Sequence, residues 1–537
     1  MTYTAHVDTF ARDNLPPREQ WPEFVFDLPE LRYPARMNCA TELLDRALES
    51  GWGNRRAIVT PGGVEWTYAD LLAHANRVAH VLVDQLHVVP GNRVLLRGPN
   101  SPWMAACWFA VMKAGAIAVG TMPLLRAKEL TDIVRKAEVS HALCDARLAD
   151  ELNRARDACP SLLSVAWFQT ADAGGLEARA AQKPATFADV ATAADDTALI
   201  AFTSGTTGRP KGTMHFHRDI AAACDCWPRA TLRASPDDLF TGTPPLAFTF
   251  GLGGLLLFPL RIGAATLLVE RATPEELLGI VAAQRASVLF TAPTMYRALA
   301  PLAARNRPPS LRKCVSAGEA LPAATRRLWK DATDIEIIDG IGSTEMFHIF
   351  ISHDEATARP GATGKPVPGY RACVMDDAGR PLPPGRVGQL AIKGPTGCRY
   401  LADPRQSNYV KNGWNYTGDA YLVDDDGYFV YQARSDDMIV SAGYNIAGPE
   451  VEDALLMHPA VAECGVVGID DAERGQVVTA FVVLKPGHEG DAAMTRELQA
   501  FVKQAIAPYK YPRSVRYLSA LPRTETGKLQ RFRLRRI

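Results

Sequence analysis

The segment of this sequence richest in ligand-holding groups is Thr203-Ser-Gly-Thr-Thr-Gly-Arg-Pro-Lys-Gly212, which follows the apolar run Ala198 to Phe202. Gly205, Gly208 and Gly212 let the backbone approach a ligand closely, while Thr203, Ser204, Thr206 and Thr207 bring hydroxyls. Arg209 and Lys211 add positive charge. Donors, cations and glycines at the end of a strand suit a polyphosphate. This is not a Walker A loop, because Pro210 stands where glycine would precede the lysine. A merely flexible polar loop would need no such density of donors. The other close pair of reactive side chains, Cys224 and Cys226, has no second pair nearby. The ten cysteines therefore read as separate thiols rather than as a metal centre, in keeping with a reducing cytoplasm.

Such residues need a scaffold, and the pattern around them is α/β. Thr67 followed by Asp70 gives an N-cap with a capping box, and Leu71, Leu72, Ala75, Val78, Ala79, Leu82 and Leu86 recur at helical spacing. Arg93 to Leu96 reads as a strand, Pro102 to Gly115 as a helix and Ala116 to Val119 as the next strand. This alternation predicts parallel sheets covered by helices. Later strand-like runs, Ser287 to Phe290, Lys313 to Ser316 and Ile335 to Ile338, end in Thr-Ala-Pro, Ala-Gly-Glu and Asp-Gly-Ile-Gly. Ligands in such sheets sit beyond the carboxyl ends of strands, so these tips are site candidates. From about Gly361 the turns at Pro381-Leu-Pro-Pro-Gly385, Asn412-Gly413 and Asp426-Gly427 punctuate a β-rich region, and the last hundred or so residues read as a small α+β unit. The Ala-rich stretch Ala171 to Asp196 reads as a surface segment.

Composition excludes several classes. A chain of 537 residues exceeds a single core, and zero formal net charge gives no electrostatic reason for a nucleic-acid or membrane partner. Residues Met1 to Pro16 carry Asp8, Arg12 and Asp13 and lack the apolar core of a secretory signal. The longest apolar stretch, Gly251 to Val269, is interrupted by Pro259 and Arg261, which predicts a buried element rather than a membrane span.

With the segments that follow it in order, the Thr203–Gly212 loop resembles the phosphate loop of the adenylate-forming superfamily: acyl-CoA synthetases, adenylation domains of peptide synthetases, and luciferases. Ser316-Ala-Gly-Glu-Ala320 and Asp339-Gly-Ile-Gly-Ser-Thr-Glu345 resemble its adenine and magnesium segments, and Tyr416-Thr-Gly-Asp419 its ribose segment. Arg434-Ser-Asp-Asp437 resembles the hinge and Pro522-Arg-Thr-Glu-Thr-Gly-Lys528 the catalytic-lysine loop. The resemblance spans nearly the whole chain. It implies a large α/β N-terminal domain over residues 1–433, with layered sheets, helices and a β-rich barrel-like subdomain. It also implies a small, mobile α+β C-terminal domain over 434–537, hinged at Asp436.

It further implies that ATP and AMP are held by Thr203, Ser204, Gly205, Thr206, Thr207, Gly208, Lys211, Gly318, Glu319, Ala320, Asp339, Gly340, Ile341 and Gly342, with the ribose on Asp419 and Arg434. Glu345 would ligate Mg2+ and Thr344 would donate to the α-phosphate. Lys528 would stabilise charge as the substrate carboxylate attacks phosphorus. Coenzyme A would be the second co-substrate, meeting Ala442, Gly443 and Tyr444, with its phosphates on Arg474, Lys510 and Arg513. The sequence departs from the pattern at Ala433, where glycine is usual, and at Val440, where lysine is common.

The same resemblance places an acyl pocket at Phe248, Thr249, Phe250, Phe347 and His348, flat walls that suit an aromatic ring. Gly342-Ser-Thr-Glu-Met-Phe-His348 looks like benzoate-CoA ligases. Asp13-Asn-Leu-Pro-Pro17, Tyr33-Pro-Ala-Arg-Met-Asn38 and Ala442-Gly-Tyr-Asn-Ile-Ala-Gly448 look closest to 2-aminobenzoate-CoA ligases. His217 is expected either to gate the acyl channel, the reading preferred here, or to start a helix, and His348 either to meet the ring or to be a core histidine. A homodimer is compatible with the resemblance, and the location it implies is cytoplasmic. Three other enzyme readings stay open: a medium-chain acyl-CoA ligase, an aryl-adenylating enzyme that loads a carrier protein, and a luciferase-like oxygenase. A non-enzymatic nucleotide sensor would have no use for Lys528 beside Lys211, Glu345 and Asp419.

Overall fold

A computed structural model describes residues 3–203, 210–434, 437–441, 444–471, 474–506, 508–524 and 527–537, and every count below refers to those residues. The loop members Ser204 to Arg209, the hinge Asp436, and Ala442 and Gly443 lie outside them.

Two large sheets form the N-terminal part. One has six strands in the order Ser164–Phe168, His141–Asp145, Arg93–Arg97, Ile117–Thr121, Thr197–Thr203 and Lys211–Phe216. The first five run parallel and the last is antiparallel. The other has nine strands, with a parallel centre built from Ile337–Gly342, Lys313–Ser316, Val288–Thr291, Leu239–Gly242, Ala265–Leu267 and Arg56–Val59. Parallel strands buried on both faces demand helical cover. One covering helix, Pro102–Lys113, is buried along almost its whole length, and the Ser101 hydroxyl caps it by accepting the Met104 N–H at 3.2 Å. The predicted capping box at Thr67 is present: Asp70 accepts the Thr67 N–H at 2.9 Å, and Thr67 accepts the Asp70 N–H at 3.1 Å. Such caps stabilise a helix by about 1 kcal/mol.

The Gly251–Val269 stretch is buried as expected, in short helical pieces followed by strand Ala265–Leu267. Pro259 lies inside the continuous helical run that these pieces form, just after the π-helical turn Gly253–Leu257, where a helix accommodates a residue that cannot donate. The Ala171–Asp196 stretch differs from the surface reading. Its end, Thr192 to Ala194 and Asp196, is buried, because Asp196 accepts the Ala5 and Ala193 N–H groups at 2.9 Å each and ties down the N-terminal arm. Among the described residues, no helix is long and apolar enough to cross a membrane.

Strands Arg371–Met375, Gly388–Lys393, Trp414–Val423 and Phe429–Arg434 build a third, antiparallel sheet. The sheet after it belongs to a separate unit: Ile439–Ser441, Tyr444–Ile446, Val461–Asp471, Gly475–Leu484 and Ser514–Tyr517. Helices Gly448–Leu456 and Ala492–Ala505 cover it through Val451, Leu455, Leu498 and Val502. The two units touch where Asp453 accepts the backbone N–H of Ala323, at the start of helix Ala323–Thr333.

Candidate active site

The phosphate segment joins two antiparallel strands, Thr197–Thr203 and Lys211–Phe216, which pair from Thr197↔Phe216 to Thr203↔Lys211. It is thus a hairpin connection, with Thr203 and Lys211 facing one another at its base. Among the described residues the buried Thr203 hydroxyl has no partner. Lys211 Nζ donates to the Tyr400 hydroxyl at 2.9 Å and stands 3.5 Å from Glu345 Oε1. Tyr400 in turn donates to the same carboxylate oxygen at 2.5 Å. Sequence reading missed Tyr400: it lies 55 residues from Glu345 in a segment without a motif.

The turn that carries Thr344 and Glu345 is fixed from outside at each step. The Ser343 hydroxyl caps the Met346 N–H at 3.2 Å and meets Tyr409 at 3.3 Å. The Thr344 carbonyl lies 2.8 Å from His215 Nε2, and the Met346 carbonyl accepts from Thr396 at 2.7 Å. A Cβ on Gly342 would come within 2.8 Å of the His348 carbonyl group, so the turn closes only on glycine there. Phe347 holds φ +70, a left-handed conformation that costs a bulky residue of order 1–3 kcal/mol and persists only when its surroundings enforce it. Glu345 therefore sits in a held turn, not at a helix start.

Of the other adenylate segments, 317–320 follows strand Lys313–Ser316, Asp339 lies within strand Ile337–Gly342 and Asp419 within strand Trp414–Val423. Asp339 is the last residue of its strand to pair with the parallel strand Lys313–Ser316; its Oδ1 is buried and unpartnered, and burial pushes its carboxyl up to about 7 against the opposing charge of Arg326. Asp419 and Arg434 are register partners, and Arg434 donates to Asp419 Oδ1 at 3.1 Å and to the Thr417 carbonyl at 3.0 Å. Burial raises the Asp419 carboxyl, and Arg434 only partly opposes the rise. Gly418, at φ +77, leaves room for that guanidinium, since a Cβ would lie 2.7 Å from Arg434 Nη2. Glu319 is raised by burial and opposed by the charges of Arg523, Lys528 and Arg531, and it accepts the Leu529 backbone N–H. The Lys528 loop is thus docked beside Glu319, with Gly318 open at φ +94 and the Lys528 side chain exposed.

The surroundings of His348 are more aromatic than the sequence indicated. His348, 3% exposed, is boxed by Phe258 at 4.5 Å, Trp227 at 5.5 Å and Phe250 at 5.5 Å between ring centroids. Phe290 closes on Phe250 at 5.7 Å. Burial takes His348 down to about 3, so its ring is neutral, and its Nδ1 has no partner. Trp227, Phe258 and Phe290 were hidden inside apolar runs that carry no motif. Thr249 is buried at the start of a short helix, and Phe248 before it is half-buried.

Two expectations are corrected. His217 is no gate: it begins helix His217–Asp225, fully buried, and its Nδ1 faces the Cys39 N–H and thiol at 3.2 Å each. The strand ends at Phe216 and the change to helix turns His217 into the core, so His215 is the histidine that reaches the Thr344 turn. Phe347 packs edge-on to His215 at 5.2 Å rather than joining the rings around His348, because neighbouring side chains of the turn point apart. Of the cations expected near coenzyme A, Lys510 is engaged by Glu450 at 2.6 and 2.7 Å, and Arg513 donates to Tyr511 at 3.0 Å. The Arg474 backbone N–H caps onto Asp471 at 2.9 Å. Tyr444 lies on strand Tyr444–Ile446 of the C-terminal sheet.

Comparison with known proteins accords with this geometry. The AMP-binding enzyme family model matches residues 45–400, and that of the AMP-binding enzyme C-terminal domain matches residues 450–528. A benzoate–CoA ligase of Thauera aromatica is 35% identical over 94% of this chain and 97% of that protein. A 3-hydroxybenzoate–CoA ligase of Aromatoleum sp. (strain CIB) is 32% identical over 93% and 97%. The crystal structure of an anthranilate CoA ligase in complex with anthranoyl-AMP superimposes with a TM-score of 0.89 at 34% identity, over 95% of this chain and 98% of that one. Taken with the fold, these matches make the chain a member of the AMP-binding enzyme family, and hence an adenylate-forming acid–thiol ligase of the acyl-CoA synthetase type.

Proposed function

We propose that the acid activated is a benzoate-type aryl acid, benzoate or 2-aminobenzoate, converted to its adenylate and then to its CoA thioester. The observation that carries this reading is the aromatic cluster of Trp227, Phe250 and Phe258 packed on neutral His348, with Phe290 behind Phe250, three residues beyond Glu345. A rigid flat ring can pack against such an aromatic surface at small entropic cost, whereas a flexible chain must be ordered. The benzoate and anthranilate ligases among the relatives support the same choice.

In this reading Lys211, the Thr203 hydroxyl and the 204–209 loop bind the phosphates. Asp419 and Arg434 orient the ribose, and the 317–320 and 339–342 tips receive the adenine. Thr344 donates to the α-phosphate. Lys528, brought in by the C-terminal unit, stabilises the charge that builds as carboxylate attacks and pyrophosphate leaves. Glu345 offers a hard-oxygen carboxylate with one oxygen held by Tyr400, a donor suited to Mg2+ shared with phosphate oxygens. Bound there, the ion would neutralise phosphate charge. We further propose that residues 434–537 turn as a unit about Asp436 between the half-reactions, and that Gly443 then gives the pantetheine arm room. The change of sheet between Arg434 and Ile439 supports that division.

The test is a pyrophosphate-release panel of benzoate, 2-aminobenzoate, hydroxybenzoates, phenylacetate and hexanoate, each with and without CoA. Aryl acids should lead, with thioester formed only when CoA is present. Hexanoate outrunning every aromatic acid would overturn the aryl reading.

A further inference from the structure

Behind the turn that carries Thr344 and Glu345 lies a polar chain that no step above uses: Arg399, Asp219 and His215, all fully buried. Arg399 and Asp219 form an ion pair, and Asp219 also accepts the Phe216 N–H at 2.9 Å. The Arg399 guanidinium lies 3.7 Å from the Phe216 ring centroid. His215 comes next, with Nδ1 3.9 Å from Asp219 and Nε2 2.8 Å from the Thr344 carbonyl. A carbonyl oxygen cannot donate, so Nε2 must carry the hydrogen and Nδ1 is left as a lone pair turned toward the carboxylate. His215 Nδ1, Asp219 Oδ1 and Arg399 Nη1 are all buried without partners. Unpaired buried polar atoms are costly, and packing alone would be better served by apolar side chains of the same volume. Burial also lowers the His215 basicity to about 4, so the neutral, single-donor form is the one present near pH 7.

We propose that His215 is a positioning residue for adenylation: its Nε2–H holds the Thr344 carbonyl, and so fixes the turn that presents Thr344 and Glu345 to the phosphates. The turn needs such a hold, since Phe347 is kept at φ +70 and has its ring edge-on to the same imidazole. The Asp219–Arg399 pair fixes His215 from behind by anchoring the Met214–Phe216 backbone: Arg399 donates to the Met214 carbonyl at 3.3 Å, and Met214 N–H donates to the Arg399 carbonyl at 2.8 Å. The inference rests on the reading of Thr344 and Glu345 as phosphate-site groups.

Two substitutions separate the donor from the ring. In H215Q the side-chain amide nitrogen reaches the Nε2 position and the ring is lost; in H215F the ring remains and the donor is lost. The measurements are acid-dependent pyrophosphate release, thioester formation from synthetic aryl-adenylate plus CoA, and the melting temperature, with E345Q as a parallel arm. H215F should lower kcat for pyrophosphate release by about a hundredfold, the loss expected of a misplaced reacting geometry, with the KM for ATP and acid little changed. H215Q should stay close to the native rate, and both variants should make thioester from the preformed adenylate normally. H215F at the native rate overturns the proposal, as does equal impairment of H215Q and H215F, or loss in both half-reactions that tracks melting temperature. If H215F does not fold, H215Q decides alone: a folded H215Q with depressed kcat overturns the proposal. E345Q releasing pyrophosphate normally would instead overturn the phosphate-site reading beneath it.

Discussion

Replacing Tyr400 by phenylalanine removes one oxygen from the centre of the proposed phosphate site. That oxygen accepts from Lys211 at 2.9 Å and donates to Glu345 at 2.5 Å, in a residue only 1% exposed. Burial and the neighbouring carboxylate push the phenol pKa upward, so the hydroxyl stays a donor at any working pH. Hydrogen bonds to charged groups contribute about 1.5–3 kcal/mol each. The two losses are not additive here. Lys211 and Glu345 already stand 3.5 Å apart and would close on one another, and Lys211 keeps its place 4.9 Å from the ring centroid. A net loss of about 1.5–3 kcal/mol corresponds to about a ten- to hundredfold fall in kcat/KM for ATP. The assay is pyrophosphate release at saturating aryl acid with ATP varied, beside thioester formation from synthetic aryl-adenylate. A Tyr400→Phe enzyme indistinguishable from the native one, or equally slow in both half-reactions, would refute the assignment of this triad to phosphate handling.

Three further outcomes are expected. Lys528→Ala should slow adenylate formation by about a hundredfold to a thousandfold while sparing thioester formation from preformed adenylate; equal loss of both would make Lys528 structural. His348→Ala should weaken 2-aminobenzoate relative to benzoate by about 1–3 kcal/mol, read from the two acids' KM values at constant ATP affinity, and equal effects would remove His348 from ring recognition. Burial, helped by Glu452 and Glu450, pushes Asp453 up to about 7. Its protonated form is therefore favoured in the folded protein, and the stability it confers is present below an unfolded value near 4 and lost as pH rises through about 7. Because Asp453 is partly exposed, the discounted effect is about 1–2 kcal/mol: Asp453→Asn should gain that much on the native chain between pH 5 and pH 8 in denaturant melts, and parallel pH profiles would refute it.

Much of the fold was legible because its signals are local. The capping box at Thr67, the helix at Pro102 and the strand ending at Ser316 need only neighbours within a few residues, and each appears where spacing put it, with ends shifted by a residue or so. The segments of the site were legible for the same reason, as contiguous motifs. What sequence could not supply was direction. His215 and His217 are two residues apart and differ by which side of a strand-to-helix change they occupy. Tyr400, Trp227 and Phe290 reach the site across long stretches of chain, and each is an ordinary core residue in its own segment. Lys510 was expected at the coenzyme A phosphates, and no local signal showed that the fold sets Glu450 against it.

The hairpin form of the phosphate segment also bears on how such a loop tolerates change. A loop that leads from a strand into a helix shares its length with the helix: one added residue turns every later side chain by about 100° around the axis. Here both ends of the connection are strands, locked to each other from Thr197↔Phe216 to Thr203↔Lys211. An insertion between Thr203 and Lys211 would be absorbed in the loop and leave both ladders in register. Variation in length is therefore confined to the part that meets the ligand, and the sheet behind it does not feel the difference.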